Sequence, residues 1–138
     1  MNETQRVFFK RCIVEFHDEF LRHFGVGDNE YTDKIIDNLT SDPNFIYIIK
    51  EDKGMIIGYV QPYVFNPNVR VSQEMGWYVL PEFRGHRVGL ELIKEYEEVS
   101  KLMGADVIMM ATLDANDISS YYEKKGYNAQ EKFYFKEL

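Results

Sequence analysis

Cysteine is almost missing from this chain of 138 residues: Cys12 stands alone, which excludes a disulfide framework. It lies among apolar residues of a helical pattern and is expected to be a buried structural thiol. Long apolar runs are missing too, so no segment is expected to span a bilayer. The opening stretch, MNETQRVFFKRCIVEF, is broken by Arg6, Lys10, Arg11 and Glu15 and does not read as a signal peptide. The cytoplasm is the expected compartment. Positive charge is scarce, with 16 Lys and Arg against 23 Asp and Glu and a net charge of −7. That balance argues against nucleic-acid binding, whose footprint is basic. It suits a cationic partner or simple solubility. The three histidines, His17, His23 and His86, form no metal set, because His17 and His23 do not share a helix face at i, i+4. Repeats, low-complexity tracts and linkers are absent, so residues 1–138 are expected to form one domain.

What is present is an ordinary globular composition, 45% hydrophobic and 28% charged, with ten Tyr and ten Phe that predict an aromatic core. Apolar residues at Val7, Phe8, Cys12, Ile13, Phe16, Phe20 and Phe24 predict an amphipathic helix from about Thr4 to Phe24. FGVGDNE breaks it, and a second helix is expected from about Thr32 to Leu39. FIYIIKE (Phe45 to Glu51) and MIIGYVQPYVF read as strands joined by a hairpin turn at Asp52 to Gly54, with Pro62 marking an edge or a bulge. NPN turns into a third strand, Ser72 to Leu80. A long helix follows from about Gly89 to Met103, striped by Leu92, Ile93, Tyr96, Val99 and Met103 and stopped by Gly104. DVIMMA (Asp106 to Ala111) is a continuous apolar run, as expected of a parallel strand buried on both faces. A short helix (about Asp117 to Lys125) closes at Gly126, and a last strand is expected within Tyr127 to Leu138. The predicted order is α-α-β-β-β-α-β-α-β, an α/β (α+β) mixed sheet.

The junction EMGWYVLPEFRGHRVG, Glu74 to Gly89, stands out. A helix that starts straight after a strand presents free backbone N–H groups and the positive end of its dipole, and glycines let a phosphate approach. Arg84, His86 and Arg87 add donors. Local chemistry leaves two readings open, an anion site and plain turn geometry. The spacing is neither a Walker loop nor a Rossmann G-x-G-x-x-G.

Two motifs carry a resemblance. The first joins a strand ending Val79, Pro81, Phe83 to a loop and helix opening with Arg84 and Gly89. The second is Tyr122-Glu123-Lys124-Lys125-Gly126-Tyr127 at the end of the next helix. Together they resemble the acetyl-CoA-binding half of the GCN5-related N-acetyltransferase (GNAT) superfamily, over about Glu74 to Tyr127. Arg87 stands where the family usually has its first glycine, and Asn116 sits one position closer to Gly126 than the family asparagine. The usual first strand is not evident, and the tail is short for the two usual closing strands. The resemblance therefore implies a compact GNAT-like fold.

It also implies chemistry: acetyl transfer from acetyl-CoA to a primary amine by direct attack in a ternary complex, with no metal. The pyrophosphate would rest on the backbone of Gly85, His86, Arg87, Val88, Gly89 and Leu90, with Arg84 opening the motif and Asn116 as a further contact. The pantetheine arm and thioester carbonyl would meet the backbone of Tyr78, Val79 and Leu80, whose N–H groups stabilise developing negative charge. Tyr122 matches the tyrosine that protonates the leaving thiolate; Tyr121 beside it is differently directed. Glu74 is the candidate base, pointing with Gly76 and Tyr78 to one face while Met75, Trp77 and Val79 point to the other. Its competing reading is a solvated strand-end carboxylate. In the family the connection between the first two helices borders the acceptor. Asp28, Glu30 and Asp33 there either favour a cationic amine or form an acidic surface loop. EYEEVSK reads as the wet face of a helix. The acceptor is a small-molecule or peptide amine, and the resemblance also allows a homodimer. Two rival readings stand beside this one: a non-catalytic acyl-CoA-binding or protein-interaction member of the same fold, and an α/β domain that binds another phosphorylated ligand in the loop.

Overall fold

A computed structural model describes every residue but Ala115. Helix α1 (Glu3–Phe20) starts at a reciprocal cap: the Asn2 side chain accepts from Gln5 N–H, and the Gln5 side chain accepts from Asn2 N–H. The helix stops at Phe20, short of the expected Phe24, and Arg22–Phe24 form a separate 3-10 turn. Helix α2 (Asn29–Thr40) begins earlier than its apolar period suggested because Asp28 caps it, accepting from Tyr31 N–H at 2.9 Å.

Strands β1 (Phe45–Lys50), β2 (Gly54–Tyr63) and β3 (Asn66–Val79) form an antiparallel meander, and β4 (Val107–Met109) adds in parallel to β3. The sheet order is β1-β2-β3-β4. The β2–β3 ladder is irregular beside Pro62, which has no N–H to donate. β3 starts at Asn66, before the expected Ser72, so Asn66-Pro67-Asn68 belongs to the strand and the turn lies at Val64 and Phe65. Helix α3 (Val88–Leu102) makes the crossover to β4, and the short α4 (Ser119–Lys124) follows. Among the described residues no strand precedes α1.

Helices cover both faces. Phe8, Phe9 and Cys12 of α1 and Ile36 of α2 pack on Phe45, Met55, Ile57, Tyr78 and Leu80. On the other face Val88, Leu92, Ile93 and Tyr96 of α3 and Tyr122 of α4 pack on Ile46, Ile48, Ile56 and Val60. The exchange of face along each strand is the period-two pattern of the sequence.

Two expectations fail. β4 is not buried on both faces: Val107 is 46% exposed and Ile108 and Met109 are half-buried, because β4 has a ladder only on its β3 side. Nor does Tyr127 to Leu138 form a strand. Its rings Phe133 and Tyr134 are exposed and bury no face that would pin a register. Phe135 instead stacks on His23 at 4.2 Å and meets Phe24 at 5.4 Å, which holds the tail against the α1–α2 connection.

Candidate active site

β4 pairs with β3 only at Val71↔Val107, Ser72↔Ile108 and Gln73↔Met109. Beyond that, from Glu74 to Val79, β3 has β2 beside it and a free edge on the other side. Leu80 N–H bonds back to Lys53 C=O at 2.8 Å, on the β2 side. Backbone groups alternate in direction along a strand, so those of Val79 and Trp77 face the free edge. Of the expected backbone contacts Tyr78, Val79 and Leu80, Val79 is the one that opens there. Its carbonyl accepts from Arg84 Nε at 2.9 Å, which leaves its N–H.

The loop that follows β3 turns once through Pro81–Phe83. Phe83 and Arg84 spend their N–H groups on Leu80 and Pro81 carbonyls. From Gly85 to Leu90 no described hydrogen bond uses a backbone N–H; the first intrahelical bond of α3 is Glu91 N–H to Arg87 C=O at 2.9 Å, and α3 has no side-chain cap. Gly85 turns the chain at φ +81°. Arg87, where the family has glycine, sits at φ −76°, ψ −9°, a conformation open to any residue, so a side chain is accommodated without strain. His86 and Arg87 are exposed and join no ion pair of the described residues. Gly89 has its own reason: a Cβ there would lie 3.0 Å from the Trp77 ring, so its smallness seats α3 on β3. Arg84, beside this row of donors, is engaged by protein partners. Its guanidinium binds Glu19 in two-pronged fashion and lies 5.2 Å from the Tyr78 ring centre, tying the end of α1 to the end of β3. The Tyr78 phenol lies 3.4 Å from Glu15, and burial raises it well above its ordinary value.

A bulge decides where Glu74 points. Ile57 pairs with Gly76 but Gly58 pairs with Glu74, so Met75 is the extra residue. The two sides of the strand exchange across it. Tyr78 packs on Phe16 and Phe20 of α1, and the space above Gly76 is filled by Ile57. Ser72 instead bonds α3, at 2.8 Å to the hydroxyls of both Tyr96 and Ser100, and Glu74 lies on that same side. The expectation that Glu74 shares a face with Tyr78 is overturned, since strict alternation holds only in an unbulged strand.

Glu74 is 8% exposed and accepts from Ala111 N–H at 3.1 Å. Desolvation outweighs that bond and lifts the carboxyl to about 7. Tyr122 is also buried, and its hydroxyl donates to Ala111 C=O at 2.8 Å. Burial, with the Glu74 charge second, pushes this phenol far above its ordinary value, so it holds its proton at neutral pH. Tyr121 points elsewhere, under Lys125. Asn116 is exposed; its N–H bonds Leu113 C=O at 3.0 Å and its side chain has no described partner.

The acidic loop is occupied by local structure: Asp28 caps α2, Glu30 pairs with Lys34 at 3.3 Å and Asp33 with Lys10 at 2.8 Å. His17 lines a cavity of about 280 Å³ between α1 and the α1–α2 connection, with its Nδ1 buried and without a hydrogen bond. Sequence reasoning missed Trp77 and the set Ser72, Tyr96 and Ser100. Tyr96 was visible only as part of a core stripe. No described group of side chains could hold a metal ion, and no helix is long and apolar enough to cross a membrane.

The fold has many relatives of known structure. The transcriptional regulator from Bacillus halodurans C-125 superposes with a TM-score of 0.80 at 17% identity, over 100% of this chain and 96% of its own. AAC(6')-Iy in complex with the bisubstrate analog CoA-S-monomethyl-acetylneamine gives 0.76 at 18% identity, over 100% and 94%. Glucosamine-6-phosphate N-acetyltransferase from Arabidopsis thaliana gives 0.65 at 16% identity, over 83% and 81%. At such identities the likeness is one of fold. No curated protein matched the chain. The sequence model of the acetyltransferase (GNAT) family, however, matches residues 13–127, most of the chain and both motifs. The protein therefore belongs to the GNAT acetyltransferase family.

Proposed function

We propose that the protein transfers an acetyl group from acetyl-CoA to a primary amine by direct attack in a ternary complex. One arrangement carries this reading: the unpartnered N–H groups of Gly85 to Leu90 adjoin the free edge of β3, and across that edge Glu74 and Tyr122 meet at Ala111. The loop donors suit a pyrophosphate, with His86 and Arg87 adding side-chain donors at its rim. Val79 N–H suits a carbonyl oxygen at the free edge. Bound acetyl-CoA would supply the activated thioester.

The chain supplies the proton transfers. Glu74, with a carboxyl at about 7, is half ionised near neutrality, which suits a general base, whether direct or through water. Tyr122 keeps its proton and is the acid for the leaving sulfur. A small-molecule amine acceptor is supported by two structural relatives, one bound to a bisubstrate analog and one named for glucosamine-6-phosphate. The acidic loop lends no support to a cationic acceptor, because its carboxylates are occupied. One observation favours a non-catalytic acyl-CoA binder as second reading: the Tyr122 hydroxyl is already committed to Ala111 C=O.

Melting scans with acetyl-CoA, CoA and ATP test the binding half, since stabilisation follows ligand concentration over its dissociation constant. Both CoA species should raise Tm, and ATP should not. Thiol release across an amine panel tests the chemistry. No shift with either CoA species would overturn the proposal; a shift without thiol release would establish the second reading.

A further inference from the structure

Beneath the candidate base lies a polar set that the reaction has not used. Ser72 Oγ sits between two hydroxyls, Tyr96 and Ser100, at 2.8 Å from each. Tyr96, Ser72 and Ser100 are all fully buried. Three hydroxyls in so dry a place are costly unless bonded, and these bond one another.

The fold makes room for this chain at a definite point. Gly58 is the register partner of Glu74 across the β2–β3 ladder, and a Cβ on Gly58 would collide with the Tyr96 hydroxyl and with Gln73 C=O. The phenol therefore ends in the side-chain space directly across the strand pair from Glu74, where neighbours lie within about 5 Å. Glu74 and Ser72 lie on the same side of β3. Ala111 N–H, after β4, is the one described hydrogen-bond donor to Glu74; the phenols of Tyr96 from α3 and Tyr122 from α4 lie near enough to feel its charge without bonding it, and among the described residues no cationic side chain acts on it.

A chain of three hydroxyls has two directions. If Tyr96 donates to Ser72 and Ser72 to Ser100, the Tyr96 proton is spent. If Ser100 donates to Ser72 and Ser72 to Tyr96, the Tyr96 proton is left unspent within the network. Both directions keep the same number of internal bonds, so small electrostatic differences choose between them. The Tyr96 phenol, pushed up to about 12 chiefly by burial, keeps its proton in either direction.

We infer that Tyr96, with Ser72 and Ser100, is a positioning network for Glu74, whose direction of donation reverses toward the carboxylate when Glu74 loses its proton. The inference rests on Glu74 as the base, and it names what stabilises the ionised base where no cation is at hand. Glu74 is bonded to Ala111 N–H and not to Tyr96 in this structure, so the reversal combines hydroxyl rotations with a turn of the Glu74 side chain toward the phenol, and only hydrogen bonds are made or broken.

Carboxyl NMR of isotope-labelled protein would follow the Glu74 titration without reference to turnover. Tyr96→Phe should raise the Glu74 midpoint by about one pH unit, as loss of a donor to the charged form requires, and should move the lower limb of the pH–rate profile with it. Ser72→Ala keeps the Tyr96 proton and should not raise the midpoint. In the unaltered protein, the ring signal of Tyr96 beside its hydroxyl should titrate with the Glu74 midpoint. An unmoved midpoint in Tyr96→Phe would overturn the inference. If that variant does not fold, a Tyr96 signal indifferent to Glu74 would do the same. Glu74→Gln with full activity would instead remove Glu74 as base while leaving the NMR result standing.

Discussion

Glu74 and Tyr122 meet at a single residue: the carboxylate accepts from Ala111 N–H at 3.1 Å, and the phenol donates to Ala111 C=O at 2.8 Å. A candidate base from β3 and a candidate acid from α4 are thus set by the peptide groups just past β4, where that strand parts from β3. Neither can move far without releasing Ala111.

Tyr122→Phe should lower kcat by about a hundredfold, the lower end of what general acid catalysis supplies. The ring remains to fill the core, so the loss of one bond to a buried carbonyl should cost about 1 kcal/mol. CoA affinity from calorimetry should hold. Turnover at the level of the unaltered protein would remove Tyr122 as acid.

Glu74→Gln should change how stability depends on pH. The folded carboxyl stands at about 7 against an ordinary 4.5, so the fold binds its proton more tightly than the unfolded chain does. That contribution is fully present below about pH 4.5 and is lost as pH rises through 7, by about 3 kcal/mol at most. Denaturant melts of both proteins at pH 5 and pH 8 should show the substitution becoming relatively more favourable at pH 8. A pH-independent difference would mean that Glu74 is not buried as described.

Arg84→Ala should act on stability more than on ligand binding. The Arg84–Glu19 pair is about one-third exposed, so its electrostatic share is about 0.5 kcal/mol, with further loss from the Tyr78 ring it covers. A double-mutant cycle with Glu19→Ala should show coupling of that size. CoA affinity should change less than about threefold, because that coupling is all that reaches the loop. A tenfold loss would mean that the guanidinium serves the phosphates after all.

Trp77 is the one tryptophan and lies against Gly89 in the donor loop. Its fluorescence should respond to CoA titration and saturate with the binding isotherm. Gly89→Ala should shift the emission of the free protein and destabilise it by about 1 kcal/mol through overpacking. An emission spectrum unchanged by both CoA and the substitution would separate this ring from the loop.

Much of the fold was readable because periodicity reports burial. The α3 stripe of Leu92, Ile93 and Tyr96 and the alternating Ile46, Ile48 and Ile56 lie where the period places them. Where tertiary context competes, the reading failed. β4 is apolar yet half-exposed because it has a ladder on one side only. The tail is strand-like in sequence yet held by rings at the α1–α2 connection. Both motifs were legible because their spacing is local: the helix opening at Arg87 and the turn at Gly126 depend on a few adjacent residues.

The amino-acid sequence by itself determined the family, the crossover from β3 through α3 to β4, and the donor row from Gly85 to Leu90, since these follow from local spacing and hydrophobic period. Only the tertiary structure decided what faces the site. One extra residue, Met75, turns Glu74 to the α3 side, and Gly58 admits the Tyr96 hydroxyl opposite it. Arg84, basic and inside the motif, is paired with Glu19 of α1. A bulge, a close approach and an ion pair each depend on residues far apart in the chain, which strand alternation cannot anticipate.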